Sequence, residues 1–167
     1  MNFTLELMLQ LAIIIPLVST FAIVATGKYP NIRESVTIIT CLILIFLVVS
    51  LYQGLSAGET IDVFWWELLP GLNISFSIEP LGMLFALIAS FLWLVTTCYA
   101  IGYMRSHNEK NQTRFYVCFA VAIGAVMGLA FSANLFTLFI FYEVLTLSTY
   151  PLVTHAGTEK AKQGGRI

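Results

Sequence analysis

Charged side chains are scarce in this sequence, which is unusual for a protein that must dissolve in water. Only 10% of the 167 residues are Asp, Glu, Lys or Arg, and 59% are hydrophobic. A soluble domain has about 25% charged and about 45–50% apolar residues. Because so few charges cannot cover a surface that faces water, the composition predicts a protein whose solvent is lipid. A net charge of −1 also gives no reason to expect a nucleic-acid partner.

Residues that bind metals or perform covalent chemistry are equally few. The three cysteines, Cys41, Cys98 and Cys118, lie inside apolar runs without paired spacing, which is typical of small residues in a hydrophobic core. The two histidines, His107 and His155, have no partner at a metal-ligand spacing. The sequence contains no phosphate-binding loop, activated nucleophile, haem motif or flavin motif. It therefore predicts no cofactor and no catalytic chemistry of its own.

Long apolar runs make up most of the chain. A membrane-spanning helix needs about 20 mostly apolar residues. Between the second and third runs, residues 72–79 alternate apolar and polar side chains, and Pro70-Gly71 is a turn signal. We predict a single all-α transmembrane domain over residues 1–167, with a short external β-hairpin between helices 2 and 3. The predicted spans are about 5–26, 35–54, 79–103, 114–132 and 134–156, and the hairpin is about 59–79.

The basic residues all fall on one side of this predicted topology. With five spans, the connection between spans 1 and 2, the connection between spans 3 and 4 and the C-terminal segment share one face. These three segments contain all eight basic residues: Lys28, Arg33, Arg105, Lys110, Arg114, Lys160, Lys162 and Arg166. The positive-inside rule places that face in the cytoplasm. We therefore expect a multi-pass protein of the cell inner (plasma) membrane with its N-terminus and hairpin outside.

Small residues recur every fourth position in span 4, at Ala120, Gly124, Gly128 and Ser132, and in span 3, at Gly82, Ala86 and Ser90. Such a stripe lets a second helix approach closely in lipid. The stripes predict helix packing, and the sequence leaves open whether the partner helix belongs to this chain or another.

Glu143 is the one ionisable residue near the middle of a predicted span. A charge at that depth costs about 2.5–3.5 kcal/mol on insertion scales, so such residues mark ion or proton routes. On a helical wheel, Ser132, Thr146, Tyr150 and Thr154 fall within about 60° of Glu143.

A possible proton path therefore leads from Glu143 through Thr146, Tyr150 and Thr154 toward His155 at the end of the span. Pro151 introduces a kink, because it cannot donate to the carbonyl of Leu147. The alternative interpretation is structural. In that case Glu143 hydrogen-bonds a neighbouring helix, and the Ser and Thr side chains bond their own backbone.

Several motifs resemble those of the antiporter-like membrane subunits. They are Tyr103-Met-Arg105, Arg114-Phe-Tyr116, Ser132-Ala-Asn-Leu-Phe136 and Phe141-Tyr-Glu-Val-Leu-Thr-Leu-Ser-Thr-Tyr-Pro-Leu-Val153. This family includes the proton-pumping subunits of complex I (NADH:quinone oxidoreductase), the paired subunits of Mrp-type Na⁺/H⁺ antiporters and subunits of membrane-bound hydrogenases. The last motif is most similar to the D-like branch of the Mrp subunits.

The resemblance implies proton translocation in a multisubunit complex, with H⁺ and either Na⁺ or K⁺ as the ions moved. It implies partners among other membrane subunits, besides the lipid bilayer. Glu143 would be the family's fifth-helix glutamate, which modulates the pKa of a lysine on a later helix. No lysine of this chain lies within a predicted span. We therefore expect an N-terminal fragment that does not transport alone, and the alternative is a structural membrane module that packs other subunits without a proton role.

Overall fold

The computed structural model describes residues 3–107 and 111–154, which form five helices and one β-hairpin. All five helices are long and apolar enough to cross a membrane. The predicted fold class, with its hairpin between helices 2 and 3, is confirmed. In chain order the elements are α1 (Phe3–Ala25), α2 (Pro30–Ser56), β1 (Asp62–Leu69), β2 (Leu72–Ser77), α3 (Pro80–Ser106), α4 (Gln112–Ala130) and α5 (Leu135–Val153).

The start of α2 differs from the prediction in a way that matters for the site. The helix begins at Pro30 rather than near residue 35, because proline suits the first helical position, where its missing N–H is not needed. Arg33 and Glu34 are therefore helical residues and not loop residues. At the other end of the bundle, α4 ends at Ala130, so Ser132 lies in the connection to α5 and not on the stripe of α4.

The hairpin is hydrogen-bonded to the helical bundle. Its antiparallel strands are joined at Gly71, which has a positive φ of 84° that favours glycine. The free edge of β2 meets the connection between α4 and α5. The Ser77 amide donates to the Phe131 carbonyl at 2.8 Å, and the Ala133 amide donates to the Ser75 carbonyl at 3.0 Å. We call this end of the bundle the hairpin end and the opposite end the basic end.

Helix α4 packs against three other helices at positions that lack a side chain. A Cβ on Gly124 would lie 2.7 Å from Cδ2 of Leu17 in α1, and a Cβ on Gly128 would clash with the ring of Phe141 in α5. In the third contact the glycine belongs to α3, where a Cβ on Gly82 would clash with the carbonyl oxygen of Ala130. The partner helices of these small residues therefore lie within this chain.

The contact at Gly82 predicts a sharp difference between two glycines of the same helix. We expect Gly82→Ala to lower the free energy of unfolding by about 1–3 kcal/mol, because backbone and not a flexible side chain must move aside. The matched control is Gly102→Ala, since nothing lies within 4 Å of that Cβ. It should raise stability by about 0.5–1 kcal/mol. Thermal unfolding in detergent measures both changes, and equal effects of the two variants would contradict the packing argument.

Candidate functional site

Helix α5 has one face against the bundle and one face that no described residue covers. Thr137, Phe141 and Ser148 are buried on the inner face. The outer face carries Glu143 near the middle of the helix, together with exposed large side chains. These are Leu135, Phe139, Tyr142, Leu147, Tyr150 and Val153. Of the five spanning segments, α5 has the smallest buried share.

The orientation of α5 is determined at the hairpin end. Asn134 precedes the helix, and its side-chain oxygen accepts a hydrogen bond from the Thr137 amide at 2.8 Å, as a helix N-cap does. The Asn134 side-chain nitrogen donates to the Asn73 carbonyl of β2 at 3.0 Å. The Thr137 hydroxyl accepts from the Ser75 amide at 3.1 Å. Because these bonds hold Thr137 inward, Glu143, which lies about 120° from it around the helix, faces outward.

Glu143 and two of the predicted path residues share the outer face. Glu143, Thr146 and Tyr150 are all exposed, whereas Thr154 is half-buried. The hydroxyl of Thr146 donates to the Tyr142 carbonyl at 3.0 Å, and that of Thr154 donates to the Tyr150 carbonyl at 3.0 Å. Their protons are thus directed to their own helix, as the alternative interpretation expects of Ser and Thr, while their oxygen lone pairs remain able to accept.

Three further predicted residues are Pro151, Ser132 and His155. Pro151 lies inside α5 near its C-terminal end. Ser132 lies before α5 begins, and its hydroxyl donates to the Leu129 carbonyl at 2.9 Å, so it does not belong to the Glu143 face as the helical wheel predicted. His155 falls outside the described residues.

The carboxylate of Glu143 has no hydrogen-bond or ion-pair partner among residues 3–107 and 111–154. A carboxyl group in a spanning helix normally faces a bundle interior or a water-filled cavity, because exposing it to hydrocarbon is costly. The arrangement can therefore hold or pass a proton if a polar surface covers this face. Within the described part of the chain, no group of three His, Cys, Asp or Glu side chains could hold a metal ion.

The sequence prediction missed a second polar site, at the basic end. Arg33 and Glu34 of α2 are only 3% and 4% exposed. Glu34 lies 3.5 Å from Arg33 and forms a bidentate ion pair with Arg105 of α3, in which Nε of Arg105 donates at 3.2 Å. Arg33 donates to Thr113 at 3.1 Å and to Gln112 of α4 at 2.8 Å. This basic-end cluster joins α2, α3 and α4 through charged hydrogen bonds.

The basic-end cluster is closely packed around Arg33. The guanidinium of Arg33 lies 5.0 Å from the centre of the Tyr116 ring, a distance at which cation–π attraction operates. Nε of Arg33 and the Tyr116 hydroxyl are both buried without a hydrogen-bond partner in the part of the chain that the structure describes. The sequence signal that could have found this cluster is Pro30, because a helix starting there brings Arg33 and Glu34 into its first turns.

Removing the shared carboxylate should destabilise the basic end strongly. We expect Glu34→Gln to cost about 3–5 kcal/mol of unfolding free energy, because Arg33 would remain buried without its counter-charge. Glu67→Gln is the control, since Glu67 is exposed on β1, and it should change stability by less than about 0.5 kcal/mol. Chemical unfolding in mixed micelles compares the two. A Glu34→Gln protein as stable as the control would show that the cluster does not hold the helices together.

Comparison with known proteins finds similar sequences and a similar fold. Residues 68–116 match the family model described as NADH-ubiquinone oxidoreductase (complex I), chain 5 N-terminus. This segment includes Arg105 and Gln112 but not Glu143. The Na(+)/H(+) antiporter subunit A1 of Staphylococcus aureus is 25% identical over 155 residues, which is 88% of this chain and 18% of that protein. The corresponding protein of S. aureus strain JH9 is 24% identical over 152 residues, with the same coverage.

A solved structure shares the fold. It is that of the membrane-bound sulfane sulfur reductase, an archaeal respiratory membrane complex. One of its chains superimposes with a TM-score of 0.81 at 19% identity, covering 95% of this chain and 32% of that chain. The chain thus spans about a fifth of the length of the curated relatives it matches. Both of those relatives are A1 subunits, so the similarity to the D-like branch stays a prediction. In sequence the chain is thus similar to a complex I subunit family and to Na(+)/H(+) antiporter subunits, and in fold to a subunit of a respiratory membrane complex.

Proposed function

We propose that this chain forms the N-terminal helices of a proton-translocating subunit in a multisubunit membrane complex. In this proposal Glu143 holds and releases a proton. The exchange is either monovalent cation/H⁺ antiport, with Na⁺ or K⁺, or proton pumping of the NADH:quinone oxidoreductase type. Both kinds of complex occur among the proteins to which the chain is similar. Its partners are then other membrane subunits and the lipid bilayer.

The observation that carries the proposal is the contrast between Glu143 and the charged residues at the ends of α2 and α3. Glu34, Arg33 and Arg105 compensate one another within the chain. Glu143 stands on an outer face without a described partner. Structural carboxylates in membranes are paired, whereas those that handle ions face a polar route. A further helix or subunit over α5 would bury Glu143 and supply that route. In the chain alone, the face of α5 that carries Glu143 is uncovered by described residues. We therefore expect no transport without the helix or subunit that covers it.

The alternative function, a structural module without a proton role, has less support. It requires small-residue stripes that are free to pack other subunits. Gly124 and Gly128 already contact α1 and α5, and Gly82 contacts α4. These surfaces are consequently used inside the chain. In such a module the Glu143 carboxylate would serve only as a hydrogen-bond acceptor for a covering helix.

Neutralising Glu143 tests the proposal. In membrane vesicles that contain the assembled complex, we expect Glu143→Gln to lower cation-dependent proton exchange at least tenfold, because the amide cannot bind and release a proton. Exchange is followed by the fluorescence of a pH-sensitive dye after addition of Na⁺ or K⁺. The chain itself should fold normally, since no bond to another described residue depends on the Glu143 carboxylate.

Two controls separate the functions. Glu67→Gln removes a carboxylate of the exposed hairpin and should leave exchange unchanged. Gly128→Leu should reduce assembly, because the added side chain meets Phe141. If Glu143→Gln exchanges protons at the normal rate while Gly128→Leu fails to assemble, the structural module is the better description.

The orientation of the chain is a separate proposal, which rests on the charge distribution. We propose that the hairpin end faces outward and the basic end faces the cytoplasm. In a background in which Cys41, Cys98 and Cys118 are replaced by alanine, Pro70→Cys should react with a membrane-impermeant maleimide in intact cells. His107→Cys, at the basic end, should react only after the cells are permeabilised. The reverse labelling pattern would place the N-terminus inside.

A further inference from the structure

A groove runs along the bundle between α3 and α4. At the hairpin end it widens to a cavity of about 490 Å³, and toward mid-membrane it continues as a second cavity of about 260 Å³. Phe85 and Val126 line both cavities, so the two cavities adjoin each other at these side chains. Leu145 of α5 borders the wider part only.

Contacts between α3 and α4 lie at both ends of the groove. At the hairpin end, Gly82 lies against the backbone of Ala130. At the basic end, the Gln112 side chain donates to the Met104 carbonyl at 3.3 Å. Between these contacts the wall of α3 includes the short side chain of Ala89, which does not fill the space.

The groove is polar at its mouth and apolar along its length. The mouth, at the hairpin end, includes Ser77, Glu79 and Ser132. The deeper part is lined by apolar side chains apart from one threonine, and it reaches Trp93. An occupant must therefore have a polar end at the membrane interface and a long apolar part within the hydrocarbon layer. This is the shape of a phospholipid that inserts one acyl chain.

We propose that the groove binds one acyl chain of a phospholipid whose headgroup carries an ammonium group, with that headgroup beside Glu79. Glu79 is exposed at the start of α3, and its negative charge favours an ammonium over a purely anionic headgroup. A methylene group occupies about the volume of a water molecule in the liquid, roughly 30 Å³. The 490 Å³ cavity alone therefore accommodates an acyl chain of about 16 carbons.

A helix from another segment or subunit fits this space less well. A helix with its side chains is about 10–12 Å across, so 490 Å³ equals the volume of only about one helical turn. The contact between Gln112 and Met104 also closes the groove at the basic end. Side chains of a covering helix could enter the mouth, but a flexible chain fits the narrow part that continues toward Trp93. The proposal concerns a surface apart from Glu143 and does not depend on proton transport.

Retention of lipid tests the proposal. The purified protein is incorporated into vesicles of equal parts phosphatidylethanolamine and phosphatidylglycerol, extracted into detergent and analysed by native mass spectrometry. We expect one retained phospholipid per protein, with phosphatidylethanolamine favoured at least threefold. Val126→Phe, which narrows the groove where its two parts meet, should reduce retention at least tenfold. The matched control is Val95→Phe on the exposed face of α3, and it should retain lipid normally.

Glu79→Gln provides a second variant that does not add a larger side chain to the groove. It should retain the lipid but lose the preference for phosphatidylethanolamine, because only the charge beside the headgroup changes. Thermal unfolding checks that Val126→Phe is folded. Absence of a retained lipid in the unmodified protein would overturn the proposal and favour a helix as the occupant. Equal retention by Val126→Phe, or a preference of the unmodified protein for phosphatidylglycerol, would also overturn it.

Discussion

Close packing of three helices against α4 is the constraint on which the rest of this structure depends. Lipid supplies no hydrophobic force between helices, so packing must come from dispersion and from small residues that let backbones approach. Gly124 permits α1 to approach, Gly128 admits the ring of Phe141 from α5, and Gly82 brings α3 against Ala130. A side chain at Gly82 would press on backbone, whereas one at Gly124 or Gly128 would meet the side chain of the neighbouring helix. The same three contacts determine where α3, α4 and α5 leave a groove and which face of α5 turns outward.

The two ends of the bundle are joined by different chemistry. At the hairpin end, neutral backbone and amide hydrogen bonds connect β2 to the start of α5 through Ser75, Asn134 and Thr137. At the basic end, charged side chains connect α2 to α3 and α4 through Arg33 and Glu34. Buried charges are costly unless paired, and breaking one partner costs more than the pair contributes. The basic end is therefore the end more sensitive to a single substitution.

The sequence was sufficient to predict the parts of the fold that depend on apolar length and on period. Five spans and the hairpin follow from runs of about 20 apolar residues and from alternation, which lipid and the pleated sheet impose directly. The basic-end cluster could not be found in the same way, because hydropathy places Arg33 and Glu34 outside a span. Only the three-dimensional meeting of α2, α3 and α4 shows that these charges are buried. Glu143 could be identified because the free-energy cost of a charge inside a span depends only on its position in the sequence. Its orientation depends on hydrogen bonds of Asn134 and Thr137, which hydropathy does not describe.

Charge compensation within the chain distinguishes Glu34 from Glu143. Glu34 is shared by two arginines, so its burial is explained within the chain. Glu143 has a comparable depth of burial only if something beyond the described residues covers α5. A helix whose outer face carries a carboxylate, three hydroxyl-bearing side chains and large apolar residues is unsuited to bare lipid. It is suited to an interface in which apolar contact holds the partner and the carboxylate meets a polar group of that partner. In the proposed function the outward face of α5 is one half of a site, and the chemistry of the surface that covers it would determine whether a proton moves there.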